Sequence, residues 1–181
     1  MSEFAKRYTK HEIPEVSVEV LDNTNTVLLV MPLKQVLRQK LRYRVVLVSL
    51  RNGRGEVFLH KRSVSHLESH IGLWNLAASG PVLAGESRYM AAARRLEEEL
   101  GISGIELHEA ARIAPTLMTD NTELTLYISS KNSAIPRMKP EEAHEGMFVD
   151  REEIRAIMRD FPHMITPHLH LAQPYLFSQG A

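Results

Sequence analysis

The sequence predicts an α+β domain in which short strands surround one long central helix. Several short stretches, bounded by turn residues, either alternate apolar and polar residues or are apolar throughout, which is typical of strands. One longer stretch instead carries apolar residues at Met90, Ala93, Leu96 and Leu100, close to the 3.6-residue period of a helix. Of the 181 residues, 44% are hydrophobic, which is enough for one domain with a substantial core.

The first half of the chain is predicted to form a hairpin, a short helix and three strands. Residues 1–14 are polar and end at a proline, so we expect an N-terminal arm before a single domain over 15–181. Valines alternate with polar residues over 16–20, and apolar residues resume over 27–30 after a turn, which predicts a β-hairpin. A short helix opened by proline is expected over 32–39. Strands then follow over 45–50, 57–59 and 74–78.

The second half is predicted to continue from the central helix, which should end at Gly101 because glycine favours the C-terminal cap. Asp150 is the expected N-cap of a helix over 151–159, since Glu153 stands at the capping-box position. Pro167 is expected to open a last helix that runs to about Phe177. The remaining strands are expected over 105–114, 123–129 and 146–149.

Composition excludes several classes of function. Lysine plus arginine and aspartate plus glutamate both number 22, so bulk charge does not favour a nucleic-acid polymer or a membrane surface as partner. The absence of cysteine excludes disulfides, thiolate metal sites and a cysteine nucleophile. The sequence contains no run of about 18 apolar residues, so no membrane span is expected. The N-terminal residues lack an apolar signal core, so a cytoplasmic location is the expectation.

The most informative stretch joins a glycine-bearing loop to the central helix, between residues 80 and 102. Three consecutive glutamates occupy the last helical turn, 97–99. Negative charge is unfavourable there because the helix C-terminus already carries partial negative charge, and a nearby cation would offset it. Clustered carboxylate oxygens suit hard cations such as Mg²⁺ or Mn²⁺. The residues of this stretch whose identity and spacing are informative are Gly80, Glu86, Arg94, Leu96, Glu98, Glu99, Gly101 and Ile102.

This spacing resembles the Nudix box, the loop-helix signature of hydrolases that cleave diphosphates linked to another group. Eight of the nine specified positions match in register over 23 residues, and the exception is Arg95, where the family has glutamate. The resemblance implies a Nudix-type α/β/α sandwich with a mixed β-sheet, a Mg²⁺ or Mn²⁺ cofactor and a small-molecule diphosphate substrate. The structural residues of the box would be Gly80, Arg94, Arg95 and Gly101.

The carboxylates of the box are the candidate metal ligands. By the resemblance, Glu98 and Glu99 bind the metal and act in catalysis, and Glu86 is a further ligand or orients the loop. The alternative is that they are solvated helix charges, or for Glu86 a carboxylate favoured by the helix dipole. Glu123 is a candidate ligand or general base. Two glutamates of a later loop are rival bases: Glu142 and Glu145.

Candidate substrate-binding residues precede the box. Lys61 and Arg62 are expected to hold a diphosphate, Arg62 by paired hydrogen bonds and Lys61 as a point charge, although a solvated strand end explains them equally well. Trp74 is a candidate for stacking on substrate, with a core position as the alternative. Arg94 is expected to brace the loop by pairing with Glu86 or Glu98.

Arg95 leaves two functions open. It lies three and four residues before Glu98 and Glu99, so all three share one helix face, and its charge would repel a metal or pair with the acids. The first hypothesis is a metal-dependent hydrolase. The alternative is a weak or inactive Nudix-fold protein that binds a phosphorylated ligand.

A third activity is disfavoured. The N-terminal hairpin and the short helix before Arg44 are similar to the branch that includes isopentenyl-diphosphate isomerase. That enzyme needs a cysteine where this chain has Ser79, a histidine near Tyr43 and an acidic residue at Asn121, so isomerase activity is not expected. The apolar hairpin is a possible homodimer contact.

Overall fold

The computed structural model describes residues 15–62, 72–138 and 143–177. Nine strands and four α-helices lie in this part of the chain, together with short 3-10 turns. The strands are β1 Ser17–Leu21, β2 Val27–Pro32, β3 Arg44–Ser49, β4 Val57–Arg62, β5 Trp74–Leu76, β6 Ala78–Pro81, β7 Leu107–Ile113, β8 Glu123–Ser129 and β9 Ala143–Val149. The helices are α1 Leu33–Gln39, α2 Arg88–Leu100, α3 Arg151–Asp160 and α4 Pro167–Ala172.

The strands form a two-stranded hairpin and two larger sheets. The first large sheet has the order β6-β3-β8-β7, and the second has the order β5-β4-β9. In the first sheet β3 runs parallel to β8, with Arg44 opposite Glu123, while β6 and β7 run antiparallel to their neighbours. This combination confirms the predicted mixed sheet.

Helices cover both faces of the sheets, so the predicted α/β/α arrangement is confirmed. Because side chains of a strand alternate between faces, Val46 and Val48 of β3 point to one side and Leu47 to the other. On the first side they pack in a cluster with Ala92 and Leu96 of α2. On the second side the cluster includes Ile154 of α3 and Leu169 of α4.

The hairpin is buried on one strand and exposed on the other. Val18 and Val20 of β1 are buried against Leu33 and Val36 of α1. Strand β2 instead presents apolar residues to solvent, from Val27 to Val30. The 1–14 arm lies outside the described residues, and within them no helix is long and apolar enough to cross a membrane.

Two elements differ from the sequence prediction. The single strand expected over 74–78 is two strands, because β5 pairs with β4 while β6 pairs with β3. The last α-helix ends at Ala172 and continues as the 3-10 turn Gln173–Tyr175. Pro174 explains this change, since it has no backbone N–H to donate to the helix.

The cap of α3 gives a test of the fold. The Asp150 carboxylate accepts hydrogen bonds from the Glu152 and Glu153 amides, and the Asp150 amide donates one to the Glu153 carboxylate. We expect Asp150→Ala to lower the free energy of unfolding by about 1 kcal/mol in urea denaturation. Glu152→Ala, at an exposed position, should change it by less than about 0.5 kcal/mol. Equal values for the two variants would contradict this role of the cap.

Candidate active site

Helix α2 positions the box residues. The Ser87 hydroxyl caps its first turn by accepting from the Met90 amide at 3.1 Å. Gly101 follows the last turn with φ of 64°, a left-handed conformation that glycine adopts at little cost, and its amide donates to the Glu97 carbonyl. The helix therefore begins immediately after the box loop and ends immediately after the glutamates.

Arg94 ties the box loop to the helix. Its Nε lies 2.8 Å from Glu86 Oε1 and its Nη2 lies 2.9 Å from Glu86 Oε2, so the carboxylate is held at both oxygens. The same guanidinium contacts Glu98 at 3.2 Å and donates to the Pro81 carbonyl. Burial opposes ionisation of Glu86, but hydrogen bonds from Arg94 and the Leu83 amide outweigh it and lower its pKa.

Arg95 lies between the box glutamates and strand β6. Its Nε donates to the Ser79 carbonyl at 2.8 Å, its Nη1 to Glu98 at 2.8 Å and its Nη2 to Glu99 at 2.5 Å. The absence of a side chain at Gly80 permits this approach, because a Cβ there would lie 2.5 Å from Arg95 Nε. One cation thus already binds both carboxylates.

The two glutamates have different environments. Glu99 is 5% exposed, accepts from the Ser79 amide at 3.1 Å and has its second oxygen 4.0 Å from His60 Nε2. The Glu98 side chain is 45% exposed and faces solvent beyond its arginine contacts. Glu99 is therefore buried between Arg95 and the Ser79 amide, while Glu98 can meet a molecule that arrives from solvent.

The oxygen atoms around Arg95 are of the kind that bind a divalent cation. Three oxygens, from the Ser79 carbonyl, Glu98 and Glu99, converge on the Arg95 guanidinium, and two of them are anionic. Within the described residues no group of three or more aspartates, glutamates or histidines is placed to hold a metal. Mg²⁺ is commonly bound by one or two carboxylates together with substrate phosphates, so a pair of acids is sufficient for a cation that binds with its substrate.

Glu123 lies at the opposite end of α2 from the glutamate pair. It is buried, its Oε1 is 2.5 Å from Arg88 Nη2 and its Oε2 is 4.0 Å from Arg44 Nε. Because a helix rises about 1.5 Å per residue, Arg88 is about 15 Å along the axis from the pair Glu98 and Glu99. The structure does not bring Glu123 together with the box glutamates.

Lys61 and Trp74 lie close to each other and apart from the box glutamates. Lys61 Nζ lies 6.0 Å from the centre of the Trp74 ring and 3.4 Å from Glu145. His60 faces Glu99, and neighbouring residues of a strand point to opposite faces, so Lys61 points away from that glutamate. The side chains of Arg62 and of Glu142 lie outside the described residues.

A pocket of about 290 Å³ lies beside the first turn of α2. The box loop forms one wall through Val82, Glu86 and Ser87. The other walls carry Arg44, Arg88, Tyr89, Glu109, Arg112 and Tyr127. No sequence pattern predicted this group, because its members come from the box loop and from β3, α2, β7 and β8 and form no local motif. The signal available in the sequence was the alternation of polar residues along β8. Strand β7 shows no such alternation, because a bulge between Glu109 and Ala111 sets the register in which Glu109 lies opposite Tyr127 and Arg112 opposite Thr125.

Comparison with known proteins gives a consistent result. A family model described as NUDIX domain matches residues 40–169. An uncharacterised Nudix hydrolase of Pseudomonas aeruginosa is 34% identical over 138 residues, which cover 73% of this chain and 80% of that protein. One from Yersinia pestis is 33% identical over 92 residues, 51% of this chain, and the chain spans only half of that relative's length.

Two further comparisons concern the isomerase branch and the fold. An isopentenyl-diphosphate Delta-isomerase of Cereibacter sphaeroides is 28% identical over 123 residues, covering 65% of this chain and 70% of that enzyme. The crystal structure of DR0079 from Deinococcus radiodurans superposes with a TM-score of 0.69 at 22% identity, covering 80% of this chain and 90% of that one. This structural likeness establishes the fold.

The contact between Arg94 and Glu86 predicts that its contribution to the free energy of unfolding depends on pH. The pKa of Glu86 is lower in the folded chain than in the unfolded chain, so its ionised form stabilises the fold above the unfolded pKa. We expect Glu86→Gln to lower the free energy of unfolding by about 1–3 kcal/mol at pH 7. The difference from the parent protein should shrink as the pH falls through the folded pKa. Chemical denaturation at several pH values measures it.

The matched control is Glu97→Gln, which removes an exposed carboxylate from the same helix. Its effect should be within about 0.5 kcal/mol at each pH. A Glu86→Gln effect that stays constant down to pH 3 would contradict an ionised Glu86 as the source of stability.

Proposed function

Because the chain belongs to the Nudix family, we propose that it is a hydrolase that cleaves a diphosphate linkage in a small molecule with the help of a divalent cation. The observation that carries this proposal is the convergence of three oxygens, from Ser79, Glu98 and Glu99, at one point beside the box loop. Relatives in two bacteria bear the name Nudix hydrolase, which supports the reaction class.

In this proposal Glu98, Glu99 and the Ser79 carbonyl hold the cation, with Mg²⁺ or Mn²⁺ as the suitable ions. When bound, the cation neutralises diphosphate oxygens and activates water for displacement. Arg95 must then move off the acids, and its long side chain allows it to turn toward the incoming diphosphate. Arg94 keeps Glu86 and the loop in place during this exchange.

The proton of the attacking water needs an acceptor within hydrogen-bond reach. Glu98 meets this condition in our proposal, because it is exposed and belongs to the cation site. Glu123 lies at the other end of α2 and is engaged by Arg88, so we propose that it holds Arg88 in position. Glu99 is buried and serves as a ligand only.

A separate observation supports a second candidate function. Arg95 already pairs with both Glu98 and Glu99, so each of these acids has a cationic partner without a metal. A protein that keeps this arrangement would bind a phosphorylated ligand and turn it over slowly or not at all. The two candidates differ in whether a divalent cation binds at the glutamate pair.

The first experiment is a hydrolysis screen of the purified protein with Mg²⁺, Mn²⁺ or chelator. The panel contains nucleoside di- and triphosphates, nucleotide sugars, dinucleoside polyphosphates and prenyl diphosphates. We expect cation-dependent release of phosphate or diphosphate that falls at least about 100-fold in Glu98→Gln and in Glu99→Gln, since each removes a charged ligand. Glu97→Gln, one residue away and exposed, should retain the parent rate.

Turnover that survives both substitutions, or that persists in chelator, would contradict this assignment. Conversion of a homoallylic diphosphate to its allylic isomer would show isomerase activity despite the serine at position 79. No turnover across the panel, together with no cation binding by calorimetry, would favour the binding protein.

Arg95 gives the second prediction for this site. Arg95→Glu removes a cation from the cation site and adds a carboxylate, so we expect Mn²⁺ affinity in calorimetry to rise about tenfold or more, which corresponds to about 1.4 kcal/mol. Arg95→Gln removes the charge alone and should give a smaller rise. An unchanged affinity in both variants would show that Arg95 does not compete with the metal.

A further inference from the structure

A row of buried polar side chains leads from Glu99 of the box into the second large sheet. Glu99 is 5% exposed, His60 of β4 is 3% exposed, and Glu99 Oε2 lies 4.0 Å from His60 Nε2. Asn75 of β5 is fully buried and lies directly opposite His60 in the antiparallel pairing of the two strands. The Asn75 side-chain carbonyl accepts from the Thr166 hydroxyl at 2.9 Å. Buried polar groups are costly unless they interact, so the fold has reason to keep these four side chains together.

The alternation of side chains along β4 and β5 explains why the row forms. Phe58, two residues before His60, packs in the cluster that faces α2, so His60 points toward α2 as well. Residues directly opposite each other in an antiparallel pair share a face, with Cβ atoms about 5 Å apart, so Asn75 lies beside the His60 ring. Thr166 reaches Asn75 because the Thr166 amide donates to the carbonyl of Trp74, the preceding residue of β5.

The two oxygens of Glu99 face different groups. Oε1 accepts from the Ser79 amide and from the Arg95 guanidinium, whereas Oε2 is the oxygen that faces His60. In the proposed function Arg95 leaves the acids when a cation arrives, so the buried Glu99 carboxylate exchanges one charged partner for another. A carboxylate that binds a metal is usually held in orientation by a further hydrogen bond from the protein. His60 belongs to a strand rather than to α2, so it stays in place during this exchange.

An imidazole suits this task better than a second guanidinium. A neutral imidazole offers one N–H donor and carries no charge, so it can hold one carboxylate oxygen without opposing a cation at the other. The distance of 4.0 Å from His60 Nε2 to Glu99 Oε2 is about 1 Å longer than an ordinary N–H···O hydrogen bond. The terminal torsion of a glutamate side chain is soft, so a small rotation of the carboxylate closes this distance.

The Asn75 amide is oriented by Thr166. The Asn75 carbonyl oxygen accepts from the Thr166 hydroxyl, and the Nδ2 amide nitrogen of Asn75 is buried without a hydrogen-bond partner in the described part of the chain. An amide nitrogen can only donate, so a ring nitrogen that it contacts must accept and the ring proton must then be on the other nitrogen. A donation from Asn75 to His60 Nδ1 leaves the proton on Nε2, which is the nitrogen that faces Glu99.

We propose that His60 is a positioning residue for Glu99: it donates from Nε2 to Glu99 Oε2 and keeps this carboxylate aimed at the proposed cation site when Arg95 withdraws. Asn75 fixes which nitrogen of the His60 ring carries the proton, and Thr166 fixes the Asn75 amide. This proposal rests on the proposed function and adds to it a residue outside the box that determines cation affinity. In this role His60 acts through Glu99 and contacts neither the substrate nor the cation.

Mn²⁺ binding, measured by calorimetry on the full-length protein without substrate, tests this proposal. His60→Leu keeps a buried side chain of similar bulk but removes the donor, so we expect the Mn²⁺ affinity to fall about 10- to 100-fold, as is typical when a metal ligand loses its outer partner. His60→Gln is the matched rescue variant. Its side-chain amide nitrogen can replace the imidazole Nε2 as donor, so it should keep the affinity within about threefold of the parent.

Asn75 provides two readouts that a packing role of His60 would not change. Because Asn75 acts through the His60 ring in this proposal, Asn75→Leu should weaken Mn²⁺ binding in the parent but cause no further loss when added to His60→Leu. Isotope labelling of the histidine nitrogens shows by NMR which ring nitrogen of His60 bears the proton. We expect the proton on Nε2 in the parent, and we expect Asn75→Leu to remove this preference.

An unchanged Mn²⁺ affinity in His60→Leu, a His60→Gln variant that binds as weakly as His60→Leu, or a ring proton on Nδ1 in the parent would each overturn the proposal. Glu99→Gln separates this failure from a failure of the proposed function. If Glu99→Gln loses Mn²⁺ binding and His60→Leu keeps it, the cation site stands and the role of His60 fails. A parent protein that binds no Mn²⁺ but carries the ring proton on Nε2 would contradict the proposed function and support the contact between His60 and Glu99.

Discussion

The accumulation of negative charge at the end of α2 is the constraint on which the site depends. Three glutamates occupy a helix terminus that already carries partial negative charge, so a cation beside them is stabilising. Arg95 supplies that cation and anchors it to the carbonyl of Ser79 on β6. The contact joins helix to sheet and requires Gly80 to lack a side chain. The Arg95 guanidinium therefore offsets charge at the helix end, joins the helix to β6 and restricts position 80 to glycine.

Two consecutive arginines serve different purposes because they leave the helix in different directions. Successive residues of an α-helix are rotated by about 100°, so Arg94 reaches the loop while Arg95 reaches the strand. Arg94 lowers the pKa of Glu86 and holds it as an ionised brace. Arg95 contacts both carboxylates that a divalent cation would use. The first arginine braces the box loop, and the second pairs with both glutamates at the end of the helix.

The sequence could predict the features that depend on local spacing. The box, the ends of α2 and the capping box at Asp150 all arise from residues close together in the chain, where helix geometry fixes which side chains meet. The division of residues 74–78 into β5 and β6 could not be predicted, because it depends on which distant strands pair with each part. The position of Glu123 beside Arg88 and Arg44 has the same cause. Three elements that are far apart in sequence meet there, and no local pattern encodes their meeting.

The parallel pairing of β3 with β8 has a consequence for how the chain reaches its native state. These neighbours lie on either side of the whole box in sequence, so their pairing must close a long loop before its hydrogen bonds compensate for the lost chain entropy. Such non-local pairing slows folding, whereas α2 can form from neighbouring residues alone. We expect the helix with its glutamates to exist transiently before β3 and β8 are joined. In that interval Glu98 and Glu99 have only the arginine contacts within their own helix, because Ser79 of β6 has not yet reached Glu99 and Arg95.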